Sequence, residues 1–264
     1  MTIIDTHAHI YPDKIALKAA KSIGDFYEIP MSLDGTVSRL LEQGKAAGIS
    51  RFLVHSVAVT WERAHAINDF LAKEVASHPA EFIGFGTIHP DHPEVEPELD
   101  RILSLGLRGV KLHPDFQHFC LDDANAIRLF EALAERNLPL LVHTGDMRYP
   151  YSEPQRMARA LDRVPGLTAI CAHLGGWSVW TDAWRELAGR DNVYVDCSSS
   201  LYAMQPEDAA AVIRKYGADR VFFGTDYPMW TAREEIDRFM ALPLTNAERE
   251  LILHLNFERF IGEA

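Results

Sequence analysis

Asp5, His7 and His9 stand at every second place in IIDTHAHI, residues 3–10. Residues i and i+2 of a strand share a face, about 6.5–7 Å apart, so this spacing would aim three ionisable groups the same way. Imidazoles and carboxylates gathered in that manner are the donors a divalent cation takes. Further along, His143, His173 and Asp226 each close an apolar run, as do His55, His89, Lys111, His113 and Asp196. Unpaired inside a protein, such groups would cost about 1–3 kcal/mol each. A cation removes that cost, and neutral imidazoles with a carboxylate suit Zn, Mn, Fe or Co. His7 and His9 are therefore expected to hold a metal as a pair, with Asp5 orienting them or their strand from behind. A lone histidine such as His55 reads as a hydrogen-bonded core residue, and an HxH pair alone is not diagnostic. The pair combined with His143, His173 and Asp226 on separate runs points to a metal site.

Eight strands would have to position these groups. They are read at 3–10, 51–58, 82–89, 108–114, 138–145, 167–175, 192–199 and 220–228. Helical stretches fall between and after them, near 36–47, 61–77, 94–105, 123–136, 154–163, 177–189, 206–216, 231–241 and 245–261. Thr36, Asp122, Ser152 and Thr231 suit helix N-termini. Strand and helix alternating eight times, with no break in composition, predicts a single-domain (β/α)8 TIM barrel over residues 1–264. An open doubly wound sheet is disfavoured, because the first turn lacks a glycine-rich dinucleotide fingerprint. Long connections follow the strands, and residues 10–35, carrying Phe26, Tyr27 and Met31, are expected to form a lid over the strands' carboxyl ends. The remaining histidines (His65, His78, His92, His118 and His254) fall on helices or loops and are expected to be solvated.

Composition narrows the function classes. A net charge of −12 argues against nucleic acid, whose binding needs clustered Lys and Arg. No run approaches the ~18–20 apolar residues of a membrane span, and the first residues carry neither a basic n-region nor an apolar h-region. Cys120, Cys171 and Cys197 have no metal-like spacing and fit a reducing, cytoplasmic setting.

The blocks DTHAHIYP (5–12), GVKLHP (109–114), LLVHTG (140–145), ICAHLGG (170–176) and FFGTDYP (222–228) resemble those of the amidohydrolase superfamily of metal-dependent barrels. They are most similar to its amidohydrolase-related branch, which includes aminocarboxymuconate-semialdehyde decarboxylase and aromatic acid decarboxylases. The resemblance implies that His7, His9, His143 and Asp226 bind one cation, Zn being the first expectation. His173 would be the unligated acid/base. Lys111 stands where dinuclear relatives carry a carboxylated lysine, so carboxylation there would allow a second ion with His173. The chain is also shorter than the decarboxylases tend to be.

A cation at these residues would lower the pKa of bound water and polarise a carbonyl, with Asp226, ligand and catalytic group at once, taking the water's proton and passing it to the leaving group. Arg148 and Lys111 are placed to meet a substrate carboxylate. His113, Trp177 and Tyr227 are candidate substrate contacts, with Tyr151 and Trp230 as further pocket walls. The first functional expectation is hydrolysis of a small carboxylate-bearing ester, lactone or amide. The alternative is a lyase on the same metal, decarboxylating or hydrating an aromatic or unsaturated acid. A non-catalytic metal-binding barrel is the minor alternative. A homodimer is compatible with the fold class, though no sequence patch marks one.

Overall fold

Each short apolar run forms a strand, and each amphipathic stretch packs back over it as a helix. The computed structural model describes residues 2–263. The strands are β1 (Ile4–His9), β2 (Arg51–His55), β3 (Phe82–Gly84), β4 (Gly86–Thr87), β5 (Val110–Leu112), β6 (Leu140–Val142), β7 (Ala169–Cys171), β8 (Val193–Asp196) and β9 (Val221–Phe222). Helices α1 (Asp13–Tyr27) and α2 (Val37–Ala47) follow β1, and α3 (Ala64–Ser77) follows β2. Then come α4 (Val95–Ser104), α5 (Pro114–Gln117), α6 (Ala124–Glu135), α7 (Pro154–Arg163), α8 (Trp180–Leu187), α9 (Pro206–Tyr216) and α10 (Ala232–Met240). A terminal unit of α11 (Asn246–Glu250), a π-helical turn (Leu251–Leu255) and α12 (Asn256–Phe260) ends the described chain. Among the described residues no helix is long and apolar enough to cross a membrane.

All the strand pairs are parallel, in the orders β1-β2-β3 and β4-β5-β6-β7-β8-β9. β3 and β4 are one barrel strand interrupted at Phe85, whose N–H still reaches the Val54 carbonyl at 3.0 Å. The ring closes where the chain leaving β9 runs beside β1. Thr6 N–H donates to the Phe223 carbonyl (2.9 Å), Asp226 N–H to that of His7 (2.9 Å) and His9 N–H to that of Tyr227 (2.8 Å). This is the (β/α)8 barrel, with β3 and β4 counted together.

Side chains from alternate strand positions divide into two apolar sets. Phe52, Val54, Val110, Leu112, Val142 and Cys171 point outward into the layer shared with the helices. Ile4, Leu53, Ile83, Phe85, Leu141, Ile170 and Phe222 fill the barrel, and Phe257 of α12 packs against Phe222 within the same set. The polar residues two places further along the same strands, His55 after Leu53 and His143 after Leu141, lie above that apolar plug.

β1 breaks this rule of two. Ile4 and Asp5 pair with Arg51 and Phe52, but Ala8 and His9 pair with Val54 and His55, so β1 carries one extra residue between Asp5 and Ala8. A bulge of this kind reverses which side chains face inward. It lets Ile4 join the barrel interior while His7 and His9 also face in.

Several local expectations need correction. Residues 10–35 are not an irregular loop: most of their length is α1, whose buried stripe is Ala16, Ala20 and Gly24. A Cβ on Gly24 would stand 2.8 Å from the Ile29 carbonyl, so the glycine permits the close return of the chain after the helix. Thr36 and Thr231 do cap α2 and α10. Asp122 is a near-cap residue, one place before the α6 cap position held by Asp123, and pairs with Arg156 and Arg159. Ser152 turns inward to donate to Asp115 at 2.6 Å, leaving Glu153 before α7. His92, expected in solvent, is buried, with its Nδ1 accepting the Glu94 amide.

Candidate metal centre

His7 and His9 enter from the bulged β1, and Asp226 from the chain beyond β9, where its backbone is left-handed (φ 57°). His7 Nε2 and His9 Nε2 are 3.3 Å apart, and each lies 3.5 Å from Asp226 Oδ1. Three donors about 2.1 Å from a common centre at tetrahedral angles would be about 3.4 Å apart. The donor triangle therefore has the size a cation requires.

Protonation agrees with that geometry. Burial holds His7 well below its ordinary value, aided by the Lys111 charge, and takes His9 down to about 3. Both rings are neutral and keep a lone pair for a ligand. For His7 the tautomer is set by Asp196, whose Oδ2 lies 2.9 Å from His7 Nδ1 with both side chains fully buried. The proton sits on Nδ1, and Nε2 faces the triangle.

Asp196 was noted in the sequence only as a strand-ending carboxylate, yet its role here is extensive. Its Oδ1 accepts the backbone N–H groups of His173 (3.3 Å) and Ser198 (3.0 Å), and the Ser198 hydroxyl as well. Asp5 acts on the strand and not on the rings. Its Oδ1 accepts the N–H groups of His7 and Thr225, and its Oδ2 the Thr225 hydroxyl at 2.6 Å. Burial pushes Asp5 up to about 7.

His143 reaches the same cavity from the end of β6. Its Nε2 donates to the Gly145 carbonyl at 2.9 Å, while its buried Nδ1 has no hydrogen-bond partner among the described residues. Nδ1 is thus its free donor. His173 follows β7, where left-handed backbone at His173 and Leu174 (φ 61° and 51°) turns the side chain inward. Its Nδ1 is held 3.0 Å from both the Ser198 carbonyl and the Ser198 hydroxyl, with Nε2 on the cavity side. Lys111 is wholly buried, its Nζ 3.3 Å from His7 Nε2. Burial lowers it to about 8, and no carboxylate among the described residues pairs with it. His55, expected to be hydrogen-bonded, has no partner among the described residues on either ring nitrogen and stands edge-on to the rings of His7 and His9.

The candidate substrate contacts separate. His113 lines the cavity, stacked on His143 with ring centroids 4.0 Å apart. Tyr227 does not: it is fully buried and its hydroxyl donates to the Thr36 carbonyl at 2.7 Å, tying the β9 end to α2. Trp177 stands behind the cavity, edge-on to Tyr27. Arg148 is not free to meet an anion, because Asp146 takes its Nε and Nη2 at 2.9 and 2.7 Å, while its Nη1 donates to the Phe26 carbonyl. The arginine clamps the end of α1. Ile23, Tyr27 and Met31 roof a cavity of about 20 Å³ over His9, Lys111, His143, His173 and Asp226. Tyr27 was visible in the sequence only as an aromatic in the expected lid.

The profile of the amidohydrolase family matches residues 4–262. The chain belongs to that family. It is an enzyme of the amidohydrolase superfamily, in the branch containing the aminocarboxymuconate-semialdehyde decarboxylases. The γ-resorcylate decarboxylase of Polaromonas sp. is 24% identical over 249 aligned positions, covering 72% of this chain and 73% of that protein. Among solved structures, an uncharacterised TIM-barrel protein from Bordetella bronchiseptica superposes with a TM-score of 0.80 at 23% identity, covering 100% of this chain and 99% of its own. A dihydroxybenzoic acid decarboxylase from Polaromonas sp., crystallised with manganese and the inhibitor 2-nitroresorcinol, superposes at 0.75 with 20% identity over 99% of this chain and 97% of its own. At these identities the superpositions speak for the fold.

Proposed function

We propose that this protein is a metal-dependent lyase that removes the carboxyl group of a small aromatic acid as CO2. The observation that carries the metal dependence is the triangle of His7 Nε2, His9 Nε2 and Asp226 Oδ1, with separations of 3.3 to 3.5 Å, beside a buried lysine without an anionic partner among the described residues; the choice of decarboxylation rests on the likeness to the decarboxylases named above. His7, His9 and Asp226 would hold one divalent cation, with His143 Nδ1 as the further donor. A divalent ion bound there supplies a Lewis acid for an oxygen of the acid. Manganese stands beside zinc as the metal to test.

The chain's own groups account for the other needs of the reaction. Decarboxylation breaks the bond from the ring carbon to the carboxyl carbon, leaves the electron pair on the ring carbon and places a proton there. His173, fixed at Nδ1 by Ser198, presents Nε2 to hold or deliver that proton. Lys111 is the buried cation that an acid's carboxylate would neutralise. Ser199 steadies Asp226 by donating to its Oδ2. A cavity able to take benzene measures about 150 Å³, far more than the space under the roof, so α1 and the turn after it act as a lid that lifts to admit substrate and closes to exclude water.

Hydrolysis uses the same donors and ranks second, because the named relatives supporting the reading are decarboxylases. The test is release of labelled CO2 from carboxyl-labelled hydroxybenzoates by metal-loaded protein. Turnover of lactones, esters or amides without any CO2 release would reverse the ranking.

A further inference from the structure

Tyr27, at the end of α1, brings a hydroxyl to the roof of the cavity, where its lid neighbours Ile23 and Met31 are apolar. Its Oη lies 2.7 Å from His113 Nε2. Which of the two donates follows from the opposite ring nitrogen. The Phe116 amide is shared between the His113 carbonyl (3.1 Å) and His113 Nδ1 (3.4 Å), so Nδ1 is an acceptor and the ring proton is on Nε2. Nε2–H therefore donates to Tyr27 Oη, and the phenol's own proton is not used in that bond. Burial, reinforced by Asp226, Asp115 and Asp146, keeps the phenol from ionising. A hydroxyl that already accepts one hydrogen bond is polarised into a stronger donor.

With α1 closed over the site, the ring carrying it is held by its neighbours. Arg148 Nη1 donates to the neighbouring Phe26 carbonyl at 2.7 Å, and its guanidinium lies 5.4 Å from the Tyr27 ring centroid. Trp177 packs edge-on at 5.0 Å.

We propose that Tyr27 is a substrate-contacting hydrogen-bond donor that selects ring acids bearing an acceptor oxygen, a hydroxyl or carbonyl, on the lid side of the ring. This rests on the aromatic-acid reading above and adds to it the feature that distinguishes one such acid from another. The donor is uncharged, so it fits a neutral oxygen, whereas Lys111 fits the carboxylate. A site built around a buried donor discriminates against the analogue that leaves the donor unpaired.

Calorimetry of benzoate and the monohydroxybenzoates, binding to metal-loaded wild type and to Tyr27→Phe, tests this without requiring turnover. Wild type is expected to bind at least one hydroxybenzoate roughly tenfold or more tighter than benzoate. Tyr27→Phe should erase that preference and leave benzoate affinity within about twofold. Matching thermal melts would exclude misfolding as the cause. Should the preference survive in Tyr27→Phe, or wild type bind all the acids equally, the role given to Tyr27 is overturned and the decarboxylase reading still stands. Wild type that binds none of the acids overturns both.

Discussion

Asp196→Asn changes one atom of a fully buried carboxylate and should cripple metal binding. Asp196 serves two kinds of donor: Oδ2 faces His7 Nδ1 at 2.9 Å, and Oδ1 collects the amides of His173 and Ser198 with the Ser198 hydroxyl. An amide has one acceptor and one donor end, so it cannot satisfy both. With its oxygen kept on the backbone amides, its NH2 meets His7 Nδ1 and drives the ring proton to Nε2, the atom aimed at the cation. With the amide flipped, the tautomer survives but buried N–H groups lose their acceptor, at about 1–3 kcal/mol. Loss of such an outer partner typically lowers metal affinity about 10- to 100-fold, or about 1.4–2.7 kcal/mol. The assay is competition against a metal-sensitive chelating dye at fixed pH, with a thermal melt of the metal-free protein alongside. Wild-type affinity together with an unchanged melt would refute the reasoning, because it would mean that Asp196 sets neither the tautomer nor the backbone.

Asp5→Asn is the contrasting case: its oxygens meet backbone amides and a rotatable Thr225 hydroxyl, so metal affinity should stay within about threefold of wild type in the same dye assay. His173→Asn should retain stoichiometric metal by elemental analysis while losing turnover, whereas His7→Ala should lose the metal; loss in both would make His173 a ligand. Gly145→Ala should destabilise by more than about 2 kcal/mol in urea unfolding, since φ is 76° and the new Cβ would lie 2.6 Å from Gly176 backbone. Burial pushes Glu235 from its ordinary 4.5 up to about 8 despite Arg238. The folded state therefore holds a proton the unfolded chain has lost between those values, and this group's stabilisation is full below about pH 4.5 and gone above about pH 8. Glu235→Gln should consequently gain stability relative to wild type from about pH 5 to about pH 9, by more than about 1 kcal/mol; parallel unfolding curves would contradict it.

The barrel was legible because buried strands in a parallel sheet are short apolar runs, and those runs recur between helical stretches in register with the fold. Their polar ends were legible for the same reason: His143 sits two places beyond the inward Leu141, and Lys111 and His113 alternate with the outward Val110 and Leu112. What escaped was geometry without a compositional trace. The single extra residue in β1 leaves the string IIDTHAHI unremarkable, although it is what lets Ile4 and His7 face the same interior. The expected strand 167–175 shrinks to Ala169–Cys171 because the chain turns left-handed at His173 and Leu174, residues that give no glycine signal. α1 hid because its buried stripe is Ala16, Ala20 and Gly24 in place of large apolar residues. Arg148 looked available because sequence shows a cation near the site. That Asp146, two residues earlier, folds back onto its guanidinium is a matter of three dimensions. Tyr227 was misread through the same gap: its place beside Asp226 says nothing of its hydroxyl reaching α2.

Crystals of metal-loaded protein, measured for anomalous scattering at the metal's absorption edge, address the central claim most directly. A single strong peak is predicted about 2.1 Å from His7 Nε2, His9 Nε2 and Asp226 Oδ1. Loaded crystals with no peak at that triangle, or with one held by other residues, would contradict the account.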